Sequence, residues 1–261
     1  DAIHLFDRNH EEDALDRLLP PYILGAWLGD GTMGRAAISK PECKMVDEWV
    51  GYGRSIGLPT RRIASDPEDC PTWLLTDAHT GFSFNVVQAH IEMLGVARRK
   101  HIPPQYKFGP ISVRLELLAG LIDSDGYVEH GGCDWISVSN VLAEDFAFVC
   151  RSVGLSAYIT PCKKGISASG FVGDYWRVSV SGDLSKIPMR DKIAAKRTQK
   201  KRHLVHGITI EPIGIGDYYG FEIDGDHLFL LGDFTVTHNT FLGLRAIHEA
   251  LQKGKRAIFI C

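Results

Sequence analysis

Leu118-Ala119-Gly120-Leu121-Ile122-Asp123-Ser124-Asp125-Gly126 decides how the rest of this chain is read. Its apolar and small residues stop at an Asp-Gly pair, which suits a helix that packs closely on a partner and leaves an acid at its end. The same grammar stands earlier, in Ile23-Leu24-Gly25-Ala26-Trp27-Leu28-Gly29-Asp30-Gly31. An isolated Asp-Gly is a common turn dipeptide; two of them behind matched helices imply a duplicated unit. Gly25 and Gly29 align with Gly120 and Ser124, small residues at i and i+4 on one helical face. Two such helices can cross at or below the usual spacing of about 8–10 Å, which brings Asp30 and Asp125 to one place. Carboxylates held together repel, and a divalent cation bound through oxygen relieves the repulsion.

The duplication continues downstream. Arg54-Ser55-Ile56-Gly57-Leu58 and Arg151-Ser152-Val153-Gly154-Leu155 stand at nearly the offset of the two Asp-Gly pairs, so the similarity extends into a second helix and its cap. In the first half, Pro20-Pro21 sets the start of the first helix. A strand is expected over 35–39, then a helix over 42–56 with Met45, Val46, Trp49, Tyr52 and Ile56 at helical spacing and Gly57 as its stop. Strand-like material follows each Gly-Leu, at 60–64 and 72–76 and again at 157–160 and 175–180. Each half therefore reads helix, two strands, helix, two strands, helix.

The 118–126 stretch differs at one position from the motif that names the LAGLIDADG homing endonucleases, and YILGAWLGDG, residues 22–31, resembles the first copy as found in inteins. The resemblance spans about residues 20–205. It implies an α+β fold of tandem pseudo-symmetric αββαββα repeats, about 20–110 and 111–205, whose sheets form a saddle over DNA. It also implies Asp30 and Asp125 as catalytic metal ligands for Mg²⁺. Asp123 falls on the preceding motif position, where the first copy has Leu28, and stays outside the implied site. A lysine beside an Ile-Pro turn reaches the active site in this family: Lys100 matches, and Lys186 does so one residue out of register. A sheet used this way needs phosphate and base contacts. Arg35, Lys40, Arg61, Arg62, Lys163, Lys164 and Arg177 are the strand candidates. The basic run from Lys186 to Arg202, with Lys196, Arg197, Lys200, Lys201 and Arg202, adds charge that makes phosphate binding salt-dependent.

From Gly207 onward short apolar segments alternate with Gly-Asp and Asp-Gly turns, the pattern of a small β module. It closes in YYGFEIDGDHLFLLGDFTVTHN, which resembles the C-terminal splicing segment of an intein, part of a Hint domain. By that resemblance Asn239 cyclises onto its own carbonyl, His238 and His227 move the protons, and Thr240 supplies the accepting hydroxyl. Gly220 stands where many inteins have an aspartate. Residues 1–19 then read as a linker or remnant of an N-terminal splicing region and 206–239 as the splicing segment. Residues 240–261 read as the start of a host P-loop ATPase or helicase, in which Thr240 becomes the Mg²⁺-binding hydroxyl. The expectation is a chain that needs an N-terminal intein half to splice.

Composition agrees with this reading. With 261 residues and 44% hydrophobic content the chain can bury a core. Its net charge of −3 makes the placement of charge matter more than the sum. No apolar run spans a bilayer and no signal-peptide core is present, so no membrane partner and an intracellular site, cytoplasm or nucleoid, are expected. Six cysteines without CxxC spacing read as reduced thiols. The function implied is a Mg²⁺-dependent endonuclease that cuts both strands of an intein-free allele as a monomer. The rival is a maturase-like DNA-binding protein that has lost cleavage.

Overall fold

In a computed structural model the described residues are 18–64, 66, 69–76, 85–166, 171–193, 209, 225 and 227–237. The chain divides into two compact units. One is His10–His203; the other comprises Asp1–Asn9 and Leu204–Cys261.

The larger unit is built on two helices, α1 (Pro21–Asp30) and α5 (Ile111–Asp125). Every residue of α1 from Tyr22 to Leu28 is buried, as is every residue of α5 from Leu117 to Ser124. A helix apolar all round belongs inside a core rather than at its edge. The two lie against each other at their glycines. A Cβ on Gly25 would stand 2.3 Å from the Leu117 carbonyl oxygen, and one on Gly120 would stand 2.2 Å from that of Tyr22.

Around this pair the two halves repeat one topology. After α1 come β1 (Ala37–Ser39), α2 (Lys44–Ser55), β2 (Thr60–Ile63), β3 (Thr72–Leu75) and α3 (Val86–Met93), then the short α4 (Pro104–Lys107). After α5 come β4 (Gly126–Glu129), β5 (Gly132–Ser137), α6 (Asn140–Ser152), β6 (Ser156–Ile166), β7 (Phe171–Ser181) and a 3₁₀ turn, Leu184–Lys186. Both sheets are antiparallel, ordered β1-β3-β2 and β4-β5-β7-β6. The fold is thus mixed α+β.

The first half departs from the expected αββαββα in one strand, because the segment matching β4 is a single bridge between Gly31 and Ile38. The reason is the turn. Gly34 is left-handed, and Thr32 donates to the Ala37 carbonyl at 2.9 Å, so the chain reverses at once. In the second half His130 and Gly131 both take positive φ, the signature of a two-residue hairpin that lets β4 pair in full. In the second half the last element among the described residues is the 3₁₀ turn, and residues 194–205, where the closing helix is expected, lie outside them.

The helix after each motif stops in the same way. Gly57 and Gly154 are left-handed; Leu58 donates to the Gly53 carbonyl at 2.8 Å and Leu155 to that of Cys150 at 3.0 Å, the backbone closure of a glycine C-cap. Ile56, beyond the end of α2 at Ser55, is exposed; Met45, Val46, Trp49 and Gly53 of α2 are buried, and Val50 and Tyr52 pack half-buried against the core. One apolar cluster joins the halves, from Trp27, Trp49 and Leu75 to Leu121, Trp135 and Phe146. Of the described cysteines Cys133 and Cys150 are buried and Cys70 is exposed, all as free thiols. No described helix is long and apolar enough to cross a membrane.

In the smaller unit the described part is a two-stranded ladder, β8 (Phe229–Leu230) on β9 (Val236–Thr237), closed by a turn in which Asp233 accepts from the Thr235 amide at 2.9 Å. The remaining apolar segments of the expected β module, 208–210 and 218–223, lie outside the described residues apart from Thr209.

The seam sets a stability test. Gly25→Ala or Gly120→Ala should lower unfolding free energy by about 2–4 kcal/mol, because backbone on both sides must move. Gly51→Ala, where a Cβ on exposed α2 meets nothing within 4 Å, should stabilise by up to about 1 kcal/mol; urea denaturation of the three variants measures both.

Candidate active site at the helical seam

Asp30 and Asp125 are the last residues of α1 and α5. Each helix is stopped by a glycine with ordinary extended backbone, Gly31 at φ −72° and Gly126 at φ −74°. Space requires glycine here, and conformation does not. A Cβ on Gly31 would lie 2.1 Å from the Trp27 carbonyl oxygen, and one on Gly126 2.7 Å from that of Ile122.

The ends of these helices are hostile to acids. The macrodipole places partial negative charge there, neither helix carries a basic residue in its last turn, and the carboxylates repel one another. Three lysines from distant segments answer this. Lys100 donates to the carbonyls of Gly29 and Gly31, both at 2.8 Å, with Nζ 5.2 Å from the Trp27 ring centroid. Lys40 lies 2.7 Å from Asp30 Oδ2 and donates to the Ser124 carbonyl. Lys192 donates to the carbonyls of Ile122 and, at 3.0 Å, Asp123.

Burial and charge shift the protons accordingly. Burial first, and then the Asp30 charge, push the Asp125 carboxyl up to about 6, against the pull of Lys40, Lys100 and Lys192. Burial lowers Lys100 to about 8, opposed by Asp125 and Asp30. Lys192 is lowered as well, by burial and by the neighbouring Lys40. Asp30 Oδ2 is buried without a hydrogen-bond partner, its contact with Lys40 being an ion pair. A carboxylate oxygen held by a single ammonium next to a second carboxylate fits a hard divalent cation. Among the described residues no three His, Cys, Asp or Glu side chains gather to enclose a metal, so phosphate oxygens or water must complete such a shell, as is usual for Mg²⁺.

The structure brings Asp30, Asp125 and Lys100 together and puts Lys186 elsewhere, exposed on the 3₁₀ turn. Lys192 holds the position at the end of α5, and no periodicity in the sequence marks it. Lys40, expected on a sheet face, is at the acid centre instead. Asp123 is fully buried and faces away into hydrogen bonds with Tyr22 and the 190–192 backbone.

The strand candidates separate by face. Alternation puts neighbours on opposite sides of a sheet. Arg62 stacks 5.9 Å from the Trp73 centroid and pairs with Glu42 at 3.6 Å on one face of the first sheet, which leaves Arg61 on the other. In the second sheet Ala157, Val178 and Val180 point into the core; Lys163 shares their side and pairs with Asp174 at 3.7 Å. Lys164, Arg177, Tyr158 and Tyr127 share the outward face. Arg177 there lies 3.8 Å from Asp134, which also accepts from Ser179 at 2.8 Å. Arg35 is exposed beyond α1. In the smaller unit His227 is left-handed, two residues before β8. Lys196, Arg197, Lys200, Lys201, Arg202, His238, Asn239 and Thr240 lie outside the described residues.

No family model matches the chain. Among curated proteins it is similar to a replicative DNA helicase DnaB of Mycobacterium intracellulare, 30% identical over 93% of this chain and 39% of that protein. It is also similar to the catalytic subunit of a V-type proton ATPase of Candida tropicalis, 23% identical over 88% of this chain and 26% of that protein. A third relative is an iron-sulfur cluster assembly SufBD family protein of Mycobacterium leprae, 24% identical over 65% of this chain and 20% of that protein. The chain thus spans two fifths or less of the length of these relatives. Among solved structures it is similar to mesophilic variants of the homing endonuclease I-DmoI, with 12% identity, TM-score 0.42 and coverage of 62% of this chain and 83% of that one. I-DmoI in complex with DNA and Mn gives 10% identity, TM-score 0.41 and coverage of 62% and 88%.

The acid pair sets the pH response, tempered by water because Asp125 is itself exposed. Asp125 holds its proton more tightly folded than unfolded, so its ionisation weakens the metal-free fold as pH rises through about 6. Asp125→Asn should therefore raise unfolding free energy at pH 7.5, by less than the full shift implies because the exposed carboxyl is screened by water, and by almost nothing at pH 4, and divalent-cation affinity of the unaltered chain should fall below about pH 6. Denaturant titrations and calorimetric Mn²⁺ titrations at several pH values measure the two effects.

Proposed function

We propose that residues 20–205 are a LAGLIDADG-type, site-specific DNA endonuclease, carried in an intein and active as a monomer inside the cell. The observation that carries the reading is the pair of acids on twinned helix ends, Asp30 half-buried and Asp125 open to solvent, ringed by Lys40, Lys100 and Lys192. A purely structural ion pair needs neither like charges side by side nor three cations drawn from separate segments. Each half of the duplicated unit ends its central helix in one acid and one lysine-capped set of carbonyls, which suits two phosphodiesters, one on each strand of a duplex.

Asp30 and Asp125 are the ligands for a divalent cation, Mg²⁺ in the proposed reaction, which when bound lowers the pKa of water and steadies charge on phosphate oxygens. The protein's own contribution is electrostatic. Its lysines are already oriented by backbone carbonyls, so they meet negative charge developing on the phosphate without reorganising. With a pKa near 8, Lys100 is also close enough to neutrality to exchange a proton with an attacking water or leaving oxygen. Arg61, Lys164 and Arg177 on the outward faces, with exposed Arg35, are the phosphate and base contacts; the basic residues from Lys196 to Arg202 extend them. Arg62 and Lys163, on the opposite faces, are assigned no DNA contact.

The intein part of the proposal is supported by the relatives. Three proteins with unrelated names each share most of this chain and only a minor part of their own length, the pattern of an element inserted into different hosts. The helicase relative favours a helicase-type P-loop ATPase as host, beginning at Thr240. Residues 206–239 are the C-terminal Hint segment, in which Asn239 cyclises with help from His238 and His227, and full splicing joins Thr240 to a chain delivered with an N-terminal intein half. A maturase-like DNA-binding protein without cleavage is the second reading, favoured by the Lys40 ammonium, which at 2.7 Å occupies one Asp30 oxygen that a metal would take.

A plasmid carrying the uninterrupted host gene should be linearised in Mg²⁺. Asp30→Asn or Asp125→Asn should slow the reaction by at least about 10³-fold while leaving duplex binding within a few-fold; binding without any cutting by the unaltered chain favours the second reading. Mass spectrometry of the purified chain on incubation should show loss of residues 240–261, abolished by Asn239→Ala.

A further inference from the structure

Asp123 is 0% exposed, and a buried carboxylate must be satisfied by donors. Its donors form a pattern. Oδ2 accepts from the Tyr22 hydroxyl at 2.8 Å and the Arg190 amide at 2.7 Å; Oδ1 accepts from the amides of Asp191 at 3.3 Å and Lys192 at 3.2 Å. Three successive backbone N–H groups thus converge on one side chain, and the 190–192 segment is a strap drawn over the end of α5.

Its side chains fasten the same strap to two other helices. Asp191 accepts from the amides of Lys44 at 2.7 Å and Met45 at 2.8 Å. These open α2, whose own N-cap residue, Cys43, makes no side-chain cap. Arg190 lies 2.8 Å from Glu116 and 3.7 Å from Glu48, with its guanidinium 4.0 Å from the Tyr22 ring centroid. From the end of this strap Lys192 turns back to the carbonyls of Ile122 and Asp123.

We propose that Asp123 is a positioning residue that fixes Lys192 beside Asp125 and so governs one of the two strand cuts, an inference that rests on the nuclease reading above. A lysine loses side-chain entropy when held in one place, so its backbone must be anchored if the ammonium is to stay at a helix end. Only a carboxylate supplies two acceptor oxygens with room for four donors and brings no donor of its own. The first half uses a different anchor. Leu28 stands at the position of Asp123, and the loop that carries Lys100 is held through the Ile102 amide, which donates to Asp145 at 2.9 Å. Because the two lysines hang from separate anchors, loosening one leaves the other in place.

The test is strand-resolved cleavage of a supercoiled plasmid bearing the target, with the full chain and its Asp123→Asn, Tyr22→Phe, Lys192→Met and Asp123→Asn/Lys192→Met variants, each checked by circular dichroism. For Asp123→Asn one strand should be cut about tenfold more slowly than the other, so that nicked circles accumulate, with KM for DNA little changed. The double variant should be no slower than Lys192→Met alone, because two residues acting through one group are not additive. Equal slowing of both strands, or additive losses, overturns the proposal. If Asp123→Asn does not fold, Tyr22→Phe carries the same comparison, with a smaller asymmetry expected and a symmetric loss decisive against it. Amide hydrogen exchange at 190–192 separates the two levels of inference. If the unaltered chain cuts no DNA, the nuclease reading fails and takes the strand assignment with it. Faster exchange at 190–192 in the variant would then uphold the strap alone, and unchanged exchange would overturn that as well.

Discussion

Backbone touches backbone where α1 crosses α5. Gly25 and Gly120 leave no room for even one methyl group, so the helices meet main chain to main chain rather than through side-chain layers. Everything distinctive about the larger unit follows from this closeness. The two halves share one core because their central helices are each other's nearest neighbours. The helix ends converge because the axes do, and the acids at those ends share one electrostatic environment.

That environment works against stability. Two carboxylates stand close together at the negative ends of two dipoles, and the shift of Asp125 to about 6 records the cost. The three lysines do not cancel it. Two of them are themselves shifted down by burial, so the centre holds charges of both signs that water would solvate better. Half-buried ion clusters of this kind contribute little to folding. Strain of this sort persists where a site needs it, and here the apolar seam behind the acids supplies the stability that the charges withhold.

The sequence exposed the duplication because both copies of the motif and both glycine caps obey local rules. A helix of small and apolar residues, an Asp-Gly stop and a left-handed glycine after Arg-Ser are legible one residue at a time. Faces were harder. Arg61 and Arg62 look alike in a row of letters, yet the pleat sends Arg62 onto Trp73 and Glu42, on the face opposite Arg61, and Lys163 and Lys164 divide in the same way. The short first strand was also hidden, since its loss depends on how tightly 31–37 turns.

The chain's own letters determined the two repeated halves, the mixed α+β class, the crossing helices and the acids at their tips, because each depends on neighbours within a few residues. Which cations meet those acids was decided only in three dimensions. Lys40 folds back onto Asp30 from just past the next strand and crosses to the Ser124 carbonyl of the other half, and Lys192 reaches the centre from far along the chain because a strap on Asp123 draws it back while Lys186 turns outward. Such placements are set by contacts between parts of the chain that carry no common period, and only the packed fold brings those parts within a hydrogen bond of one another.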